Sequence, residues 1–563
     1  MIFTSPYTTP IPSLDILTFL FTRRVIPPST PLWLDAADPT HHITAGHAET
    51  LTRRIGHALR HNFSIGAAGP PANPDDDTGI VITFVENQTM IAPTVFGILC
   101  AGGVHATCPP TATAFELARQ IRGSAPKVLI ASPLTRAVAE DALEKARAAE
   151  PQAALPALLI MKSTTPVDLL RPSGASILSA AELPWERITS PTTLAARTAC
   201  LVYSSGTTGP PKGVRLSHAN LVANVCQITF HLSPLTTSLL STPSSPPPAM
   251  PGIIPNAHAG GLMIHTYLPL AVGMRVYLLP RYSLPTLVSL IRAHQLTLVF
   301  GVPAIWAGLA AADDVRPADL ASVRFAMSGA APLPRAVREA AGRKLREGVR
   351  VSTNWGMTEV VCEGAQFALD EVDEEGAVGR LMPGMQARVL ALEDGRELGV
   401  GEEGELVVKG PNVTLGYHRA PAATASTIRD GWLHTGDIAR FSASGALFIV
   451  GRSKELIKYN GTQIAPSDLE ATLLEHPAIL DAGVVGVPAA NDNELPRAYV
   501  VRREGEGVQE GEIEGWVRER VSPFKRLRGG VVFVDAIPRN PSGKILRGAL
   551  KEWVVKGEGR ARL

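Results

Sequence analysis

The segment Gly79 to Val85 (GIVITFV) is apolar at every position except Thr83 and rich in β-branched residues. A short unbroken run of this kind predicts a strand buried on both faces, as in the middle of a parallel sheet. Thr94 to Ala101 then reads as a helix ending at Gly102-Gly103, Ala114 to Arg122 as a second helix, and Lys127 to Ala131 (KVLIA) as the next strand. Alternation of strand and helix patterns predicts α/β layers around a parallel sheet. Ala199 to Tyr203 is another apolar strand pattern. Ser241 to Pro251 (STPSSPPPAMP) reads as a surface loop. Ile253 to Leu279 is apolar in bulk, but Pro255, His258, His265, Pro269, Arg275 and several glycines interrupt it. It predicts a buried strand, a helix and a second strand rather than a membrane span.

Farther along, Gly404 to Lys409 and Leu447 to Val450 read as short strands joined by glycine-rich turns. The best domain boundary lies near Gly451-Arg452-Ser453-Lys454, giving domains 1–452 and 453–563. Beyond it, Ser467 to Leu474 predicts a helix, with Ser467 as N-cap and Glu470 at capping-box spacing. Asp481 to Val487, Arg497 to Val501 and Gly530 to Val534 predict strands, and Ile513 to Val521 a helix. The charge-rich stretch Arg502 to Glu512 predicts a solvated loop.

Composition narrows the function classes. A chain of 563 residues with 45% hydrophobic content can bury several cores. Its 53 basic and 52 acidic residues give a net charge of +1, which offers no electrostatic footprint for nucleic acid or an anionic membrane and points to small-molecule work. Cys100, Cys108, Cys200, Cys226 and Cys362 show no CxxC spacing and read as buried apolar residues of a reducing compartment. The N-terminus lacks a secretory pattern. The final Ala561-Arg562-Leu563 fits the small–basic–Leu form of a peroxisomal address; otherwise it reads as a frayed basic tail, with the cytoplasm as the default location.

The most informative stretch is Tyr203 to Asn220, YSSGTTGPPKGVRLSHAN. Ser204, Ser205, Gly206, Thr207, Thr208 and Gly209 set hydroxyls and bare backbone amides side by side, and glycine lets the chain approach an anion closely. Lys212 adds a point charge suited to a polyphosphate. This is not a Walker A loop, because Lys212 lies between Pro211 and Gly213 instead of in GK[ST].

The segment resembles the signature loop of the adenylate-forming superfamily, and other blocks follow in that superfamily's order. They are SGAAPL (Ser328 to Leu333), NWGMTE (Asn354 to Glu359), GWLHTGD (Gly431 to Asp437), GRSKELIKYNGTQIAPSDLE (Gly451 to Glu470) and PRNPSGKILR (Pro538 to Arg547). Wording such as LMPGMQARV and SHANLVANV is most similar to the 4-coumarate–CoA ligase-like branch of the acyl-CoA synthetases.

The resemblance implies an α/β fold: a large N-terminal domain of layered α/β subdomains with a small β-barrel-like subdomain, and a small mobile α+β C-terminal domain. It implies an acid–CoA ligase that forms an acyl-AMP from ATP and an aryl or medium- to long-chain acid and then transfers the acyl group to coenzyme A, with Mg²⁺ as cofactor. In this sequence Lys544 would stabilise charge on the α-phosphate, Thr358 would donate to it, and Glu359 would hold Mg²⁺. Ala330, Ala331 and Asn354 would lie by the adenine; Asp437 and Arg452 would hold the ribose. Lys454 would be the hinge of a domain rotation. That rotation brings Lys458, Gly461 and Gln463 to the thioester-forming site, and Arg281 would meet CoA phosphates. Asn460 stands where the branch often has Lys. In the acid pocket His258 is kept but its aromatic neighbour is not, and Gly260 and Gly261 replace bulkier residues, leaving volume for a larger acid.

Rival readings share the nucleotide site. An amino-acid adenylating domain would need a carboxylate near His258, and none occurs from Ser241 through Arg281. Two further rivals are a stand-alone enzyme that loads an acid onto a carrier protein and a catalytically silent nucleotide-binding homologue.

Overall fold

The computed structural model describes residues 1–66, 79–204, 211–242, 245–369, 371, 376–459, 462–489, 494–540 and 543–556. The GIVITFV run forms the strand Ile80–Phe84, buried at every position. It is central in a seven-stranded sheet ordered Lys212–Ser217, Thr198–Ser204, Val104–Thr107, Ile80–Phe84, Val128–Ala131, Ala157–Lys162, Asp168–Leu170 among the described residues. The inner pairings are parallel and the two outermost antiparallel. The first helix after Ile80–Phe84 is Ile91–Cys100, beginning three residues before the expected start. Pro93 falls in its first turn, where a missing N–H costs no helical bond. Ala114–Ser124 carries a true capping box between Thr113 and Glu116.

Two expectations need correction here. The proline-rich stretch is not loop throughout: the helix His218–Ser241 runs through Pro234 up to Ser241, and Ala249–Gly252 is a strand. That strand, ahead of Ile253, is the first of the expected strand–helix–strand unit; it pairs in parallel with Arg275–Leu278. It lies at the end of its sheet, where a proline such as Pro251 is tolerated. Between the two strands, Ala259–Gly261, Leu262–Tyr267 and Leu268–Val272 form one helical stretch with a π-turn in its middle.

Leu298–Gly301, Phe325–Ser328 and Val351–Trp355 form the parallel part of a further sheet, extended by the antiparallel Ala365–Gln366 and Arg380–Leu381. The small β subdomain is an all-antiparallel sheet of six strands that includes Gly404–Lys409, Trp432–Phe441 and Leu447–Arg452.

The chain leaves that sheet at Arg452, makes a 3₁₀ turn at Ser453–Glu455, and enters a small α+β domain. Ile479–Pro488, Glu494–Arg502 and Val531–Phe533 form its sheet, covered by Pro466–Leu474, Glu510–Arg520 and Arg547–Lys556. Its apolar cluster around Ile457, Leu469, Val484 and Ile513 is separate from the cores of the large domain. The expected capping box at Ser467 is absent. Pro466 opens the helix instead, the Ser467 hydroxyl donates to the Val450 carbonyl at 2.8 Å, and the Glu470 carboxylate accepts the Val484 N–H at 2.8 Å. Proline at the first helical position presets the turn, so no side-chain cap is needed. The charged stretch also ends sooner than expected, because its last residues begin the helix Glu510–Arg520.

None of the described helices is long and apolar enough to cross a membrane.

Candidate active site

A cavity of about 1060 Å³ opens between the two domains. Gly301, Gly329 and Gly356, which follow or end three parallel strands, line it, as expected where ligands meet the carboxyl ends of an α/β sheet. The opposite wall comes from the small domain through Arg539, Asn540, Lys544 and Leu546.

The charged end of the cavity is built on paired strands. Asp437 and Arg452 face each other across Trp432–Phe441 and Leu447–Arg452. Register therefore delivers an ion pair, with Arg452 Nε 2.9 Å from an Asp437 oxygen. The second Asp437 oxygen accepts the Trp355 indole N–H at 2.8 Å. Asp437 is only 4% exposed, so these donors answer a buried anion. The carboxylate in turn holds the Arg452 guanidinium above its ordinary pKa.

Glu359 is also buried and accepts the Tyr417 phenol at 2.9 Å. Burial first, then Glu359, pushes the Tyr417 pKa up, so the phenol stays a donor. The Lys212 ammonium lies 5.2 Å from the Tyr417 ring centre. Lys212 pairs with Ser204, so the two strands hold both ends of the Ser/Thr/Gly loop at the cavity. Thr358 and Glu359 sit on a one-turn 3₁₀ helix just past Gly356. A side chain at Gly356 would lie 1.8 Å from the Cys362 carbonyl, so only glycine lets this loop fold back on itself. Gly329 is similarly close to Asn354, whose Oδ1 would be 2.7 Å from an added Cβ.

Lys544 stands on a tight loop. Its carbonyl accepts from Asn540 N–H and its own N–H donates to Asn540 Oδ1, both at 2.9 Å. Gly543, at φ +80°, makes the reversal and faces Val302 of the large domain at 3.4 Å from the place a Cβ would occupy. Arg539 braces the loop from Asp481 (2.8 Å) to the Gly543 carbonyl (2.7 Å). Arg547, at its far end, clamps Glu470 (2.7 Å) and Glu455 (3.0 Å) of the turn Ser453–Glu455. Burial lowers the Lys544 pKa and Arg452 adds to this, while Asp437, Glu359 and Glu455 oppose it.

At the other end His258 caps the helical stretch, its Nδ1 accepting Gly260 N–H at 3.3 Å. Burial and then Lys544 push its pKa down to about 4, so it is neutral at pH 7. Gly260 lines the cavity, where an added Cβ would meet only His258 Nδ1 at 3.5 Å and Cys362 Sγ and an Ile254 methyl, both at 4.0 Å. Gly261 does not line it. Its Cβ would strike the Pro255 carbonyl at 2.1 Å, so this glycine serves backbone packing and opens no volume for an acid.

The structure thus brings Lys212, Ala330, Asn354, Thr358, Glu359, Arg452, Lys454, Lys544, His258 and Gly260 to one cavity, with Asp437 bonded to its wall. Arg281 is exposed and does not line it, nor does Ala331. Lys458 is exposed on a hairpin opposite Gln463, its N–H held by Glu494 at 3.0 Å. Ser205, Gly206, Thr207, Thr208, Gly209, Asn460, Gly461 and the Ala561-Arg562-Leu563 tail lie outside the described residues. The motifs did not single out Trp355, Tyr417, Glu363 or the His434–Glu405 pair (2.9 Å) as functional. Trp355 and His434 lie inside the motif blocks, while tertiary pairing carries Tyr417, Glu363 and Glu405 to the cavity.

Residues 32–418 match the family described as AMP-binding enzyme, and residues 468–544 match the AMP-binding enzyme C-terminal domain. A protein of Emericella nidulans, provisionally named acyl-coenzyme A synthetase, is 39% identical over 98% of both chains. A phenylacetyl-CoA ligase of Aspergillus niger is 31% identical over 96% of this chain and 97% of its own. ATP-bound MatB from Rhodopseudomonas palustris superposes with a TM-score of 0.80 at 26% identity, covering 97% of this chain and 99% of that one. The apo form of the same protein superposes at 0.71. The chain belongs to the AMP-binding enzyme family.

Proposed function

We propose that the chain is an ATP-dependent acid–CoA ligase that converts an aryl or medium- to long-chain carboxylic acid to an acyl-AMP and then to an acyl-CoA thioester. The observation that carries this reading is the Lys544 loop, which crosses from the small domain to close a cavity lined by Glu359 and by Arg452, the latter paired with Asp437. The better overlay on the ATP-bound than on the apo form of MatB supports an adenylate-forming arrangement.

In the first step a carboxylate oxygen bonds to the α-phosphorus and the bond to the bridging oxygen breaks, releasing pyrophosphate. Both reactants are anions, so fixed positive charge aimed at the α-phosphate lowers the barrier. Lys544 supplies it, and Thr358 donates from the adjoining turn. The polyphosphate favours the charged form of the lysine, against the burial that disfavours it. Lys212 and the Ser204 to Gly209 loop hold the outer phosphates. Asp437 and Arg452 accept and donate at the ribose, with Ala330 and Asn354 beside the adenine. Glu359 suits Mg²⁺: its carboxylate receives one neutral phenol and keeps lone pairs to spare. Among the described residues no cluster of three or more His, Cys, Asp or Glu forms a cage. That fits a cation held by one carboxylate plus substrate phosphates. When bound, Mg²⁺ supplies neutralisation of the triphosphate charge.

The second step needs the small domain, residues 453–563, to turn about Lys454. The turn withdraws Lys544 and presents Lys458, Gly461 and Gln463 to the acyl-AMP, where the CoA thiol attacks its carbonyl and AMP leaves. Arg281, exposed in the present arrangement, is then available to CoA phosphates.

The test is an acid panel with ATP and CoA, reading pyrophosphate and thioester together. Ligation yields both in equal amounts. No pyrophosphate from any acid overturns the reading, and pyrophosphate without CoA consumption transfers the second step to another acceptor. Delivery to peroxisomes through Ala561-Arg562-Leu563 is part of the same proposal. A fluorescent fusion ending in these residues should become punctate, and diffuse signal overturns it.

A further inference from the structure

Of the cavity carboxyl groups to which the adenylation chemistry gives no role, Glu116 is bonded to Thr113 and Glu405 to His434, which leaves Glu363. Glu363 lines the cavity, four residues beyond Glu359, and is 1% exposed. Its backbone is clamped: the Asn224 and Asn412 side-chain amides donate to its carbonyl at 2.9 and 3.1 Å, and its N–H reaches Asn224 Oδ1 at 3.4 Å. The side chain is not satisfied in the same way. Neither carboxyl oxygen has a hydrogen-bond partner of good geometry among the described residues. Burial pushes the pKa up to about 7, and the Asn354 amide only partly offsets this. Phe300, Val302, Met327 and Ile264, which line the same cavity, are apolar.

A buried polar group without a partner is costly, and native structures leave few of them. When such a group lines a ligand cavity, the missing partner is most simply a ligand atom. Lys544, His258, Gly260, Cys362 and Glu363 line one cavity, and a Cβ at Gly260 would meet both His258 Nδ1 and Cys362 Sγ. An acid whose carboxylate is held at Lys544 shares that cavity with Glu363.

We infer that Glu363 is a specificity-determining residue, which accepts a hydrogen bond from a hydroxyl or amino substituent on the acid being activated. This rests on the ligase reading. It selects for acids that carry such a donor over the same carbon skeleton without it, because a site built to pair with a polar group leaves that group unpaired when the partner is missing.

The experiment compares matched acid pairs, with and without a hydroxyl or amino group at successive positions, on the full chain. The readout is kcat/KM from pyrophosphate release. Wild type should prefer the donor-bearing acid by about 10-fold or more at one position. Glu363→Gln should shrink that preference, and Glu363→Leu should reverse it, chiefly through KM for the acid. Melting curves identify variants that fail to fold, and the wild-type pairs decide the matter without them. Equal use of both members of every pair by wild type overturns the inference. So does a preference that survives Glu363→Leu within about twofold, which is the result for a carboxyl satisfied by water alone. Pyrophosphate release from unsubstituted acids shows that the ligase reading stands whichever way the pairs fall; no release from any acid is a failure of that reading instead.

Discussion

The two ends of the cavity are built on opposite principles. Around Asp437, Arg452, Trp355, Glu359 and Tyr417, the buried carboxylates and their donors answer each other at 2.8–2.9 Å. Glu363 shares the cavity with the apolar Ile264, Phe300, Val302 and Met327, and its carboxyl group has only an imperfect amide neighbour. The charged end is thus preorganised by the protein for a ligand part that never varies, the nucleotide. At the acyl end Glu363 is left for the ligand to complete. Reorganisation avoided at the moment of reaction is what makes fixed charge effective in catalysis, whereas selectivity comes from a group that is satisfied by one substrate and not another.

The largest expected effect tests the charged end. Lys544→Ala should slow acyl-AMP formation by about 10²- to 10³-fold, the usual loss for one preorganised charge-stabilising donor. Thioester formation from supplied acyl-AMP should remain largely intact. Equal loss in both half-reactions would mean that the loop braced by Arg539 and Arg547 serves the fold rather than the first step.

Next comes the ion pair itself. Arg452→Met leaves Asp437 buried with the Trp355 indole alone, and removing one partner of a buried pair costs about 3 kcal/mol or more. The denaturation midpoint should fall accordingly. Asp437→Asn combined with Arg452→Met should recover most of that stability while ATP binding stays weak. If the double variant is no more stable than the single, the reciprocal pairing is not what holds this end together.

These ends also differed in how far the sequence disclosed them. Lys212, Glu359, Asp437, Arg452 and Lys544 sit in short motifs because phosphate and ribose contacts depend on local turns, and a turn is written in consecutive residues. Gly356 shows why: its neighbour in space, Cys362, is six positions away. The acyl wall has no such locality. A carboxylate sought between Ser241 and Arg281 is absent there; Glu363 lines the cavity instead, carried in by the turn after Val351–Trp355, its backbone locked by asparagines from two distant segments. The alternating α/β layers were legible from buried strand runs, while the strand Ala249–Gly252 was hidden because its proline sits where an edge strand tolerates it.

A smaller effect separates two adjacent glycines at the acyl end. Gly261→Ala forces a Cβ to within 2.1 Å of a backbone carbonyl and should cost about 2 kcal/mol or more of stability. Gly260→Ala meets ordinary contacts and should leave the melting temperature nearly unchanged. It takes up cavity volume, so kcat/KM for the bulkiest acids should fall by up to about 10-fold relative to small ones. Should both variants behave alike, the cavity is not bounded where Gly260 places it.

The smallest effect lies back at the nucleotide end, where the preorganised wall contains one misfit. Ala330 lines the cavity with φ at +72°, a left-handed conformation in which an L side chain crowds the following carbonyl. Relief of that strain by Ala330→Gly is offset in part by the greater freedom of glycine in the unfolded chain. The net gain should be about 0.5 kcal/mol, read as a small rise in the denaturation midpoint. KM for ATP distinguishes strain from contact. If the methyl group only strains the backbone, KM for ATP stays the same or falls; if it packs on the nucleotide, KM rises although the protein is more stable, and the charged end would then also recognise its ligand through apolar contact.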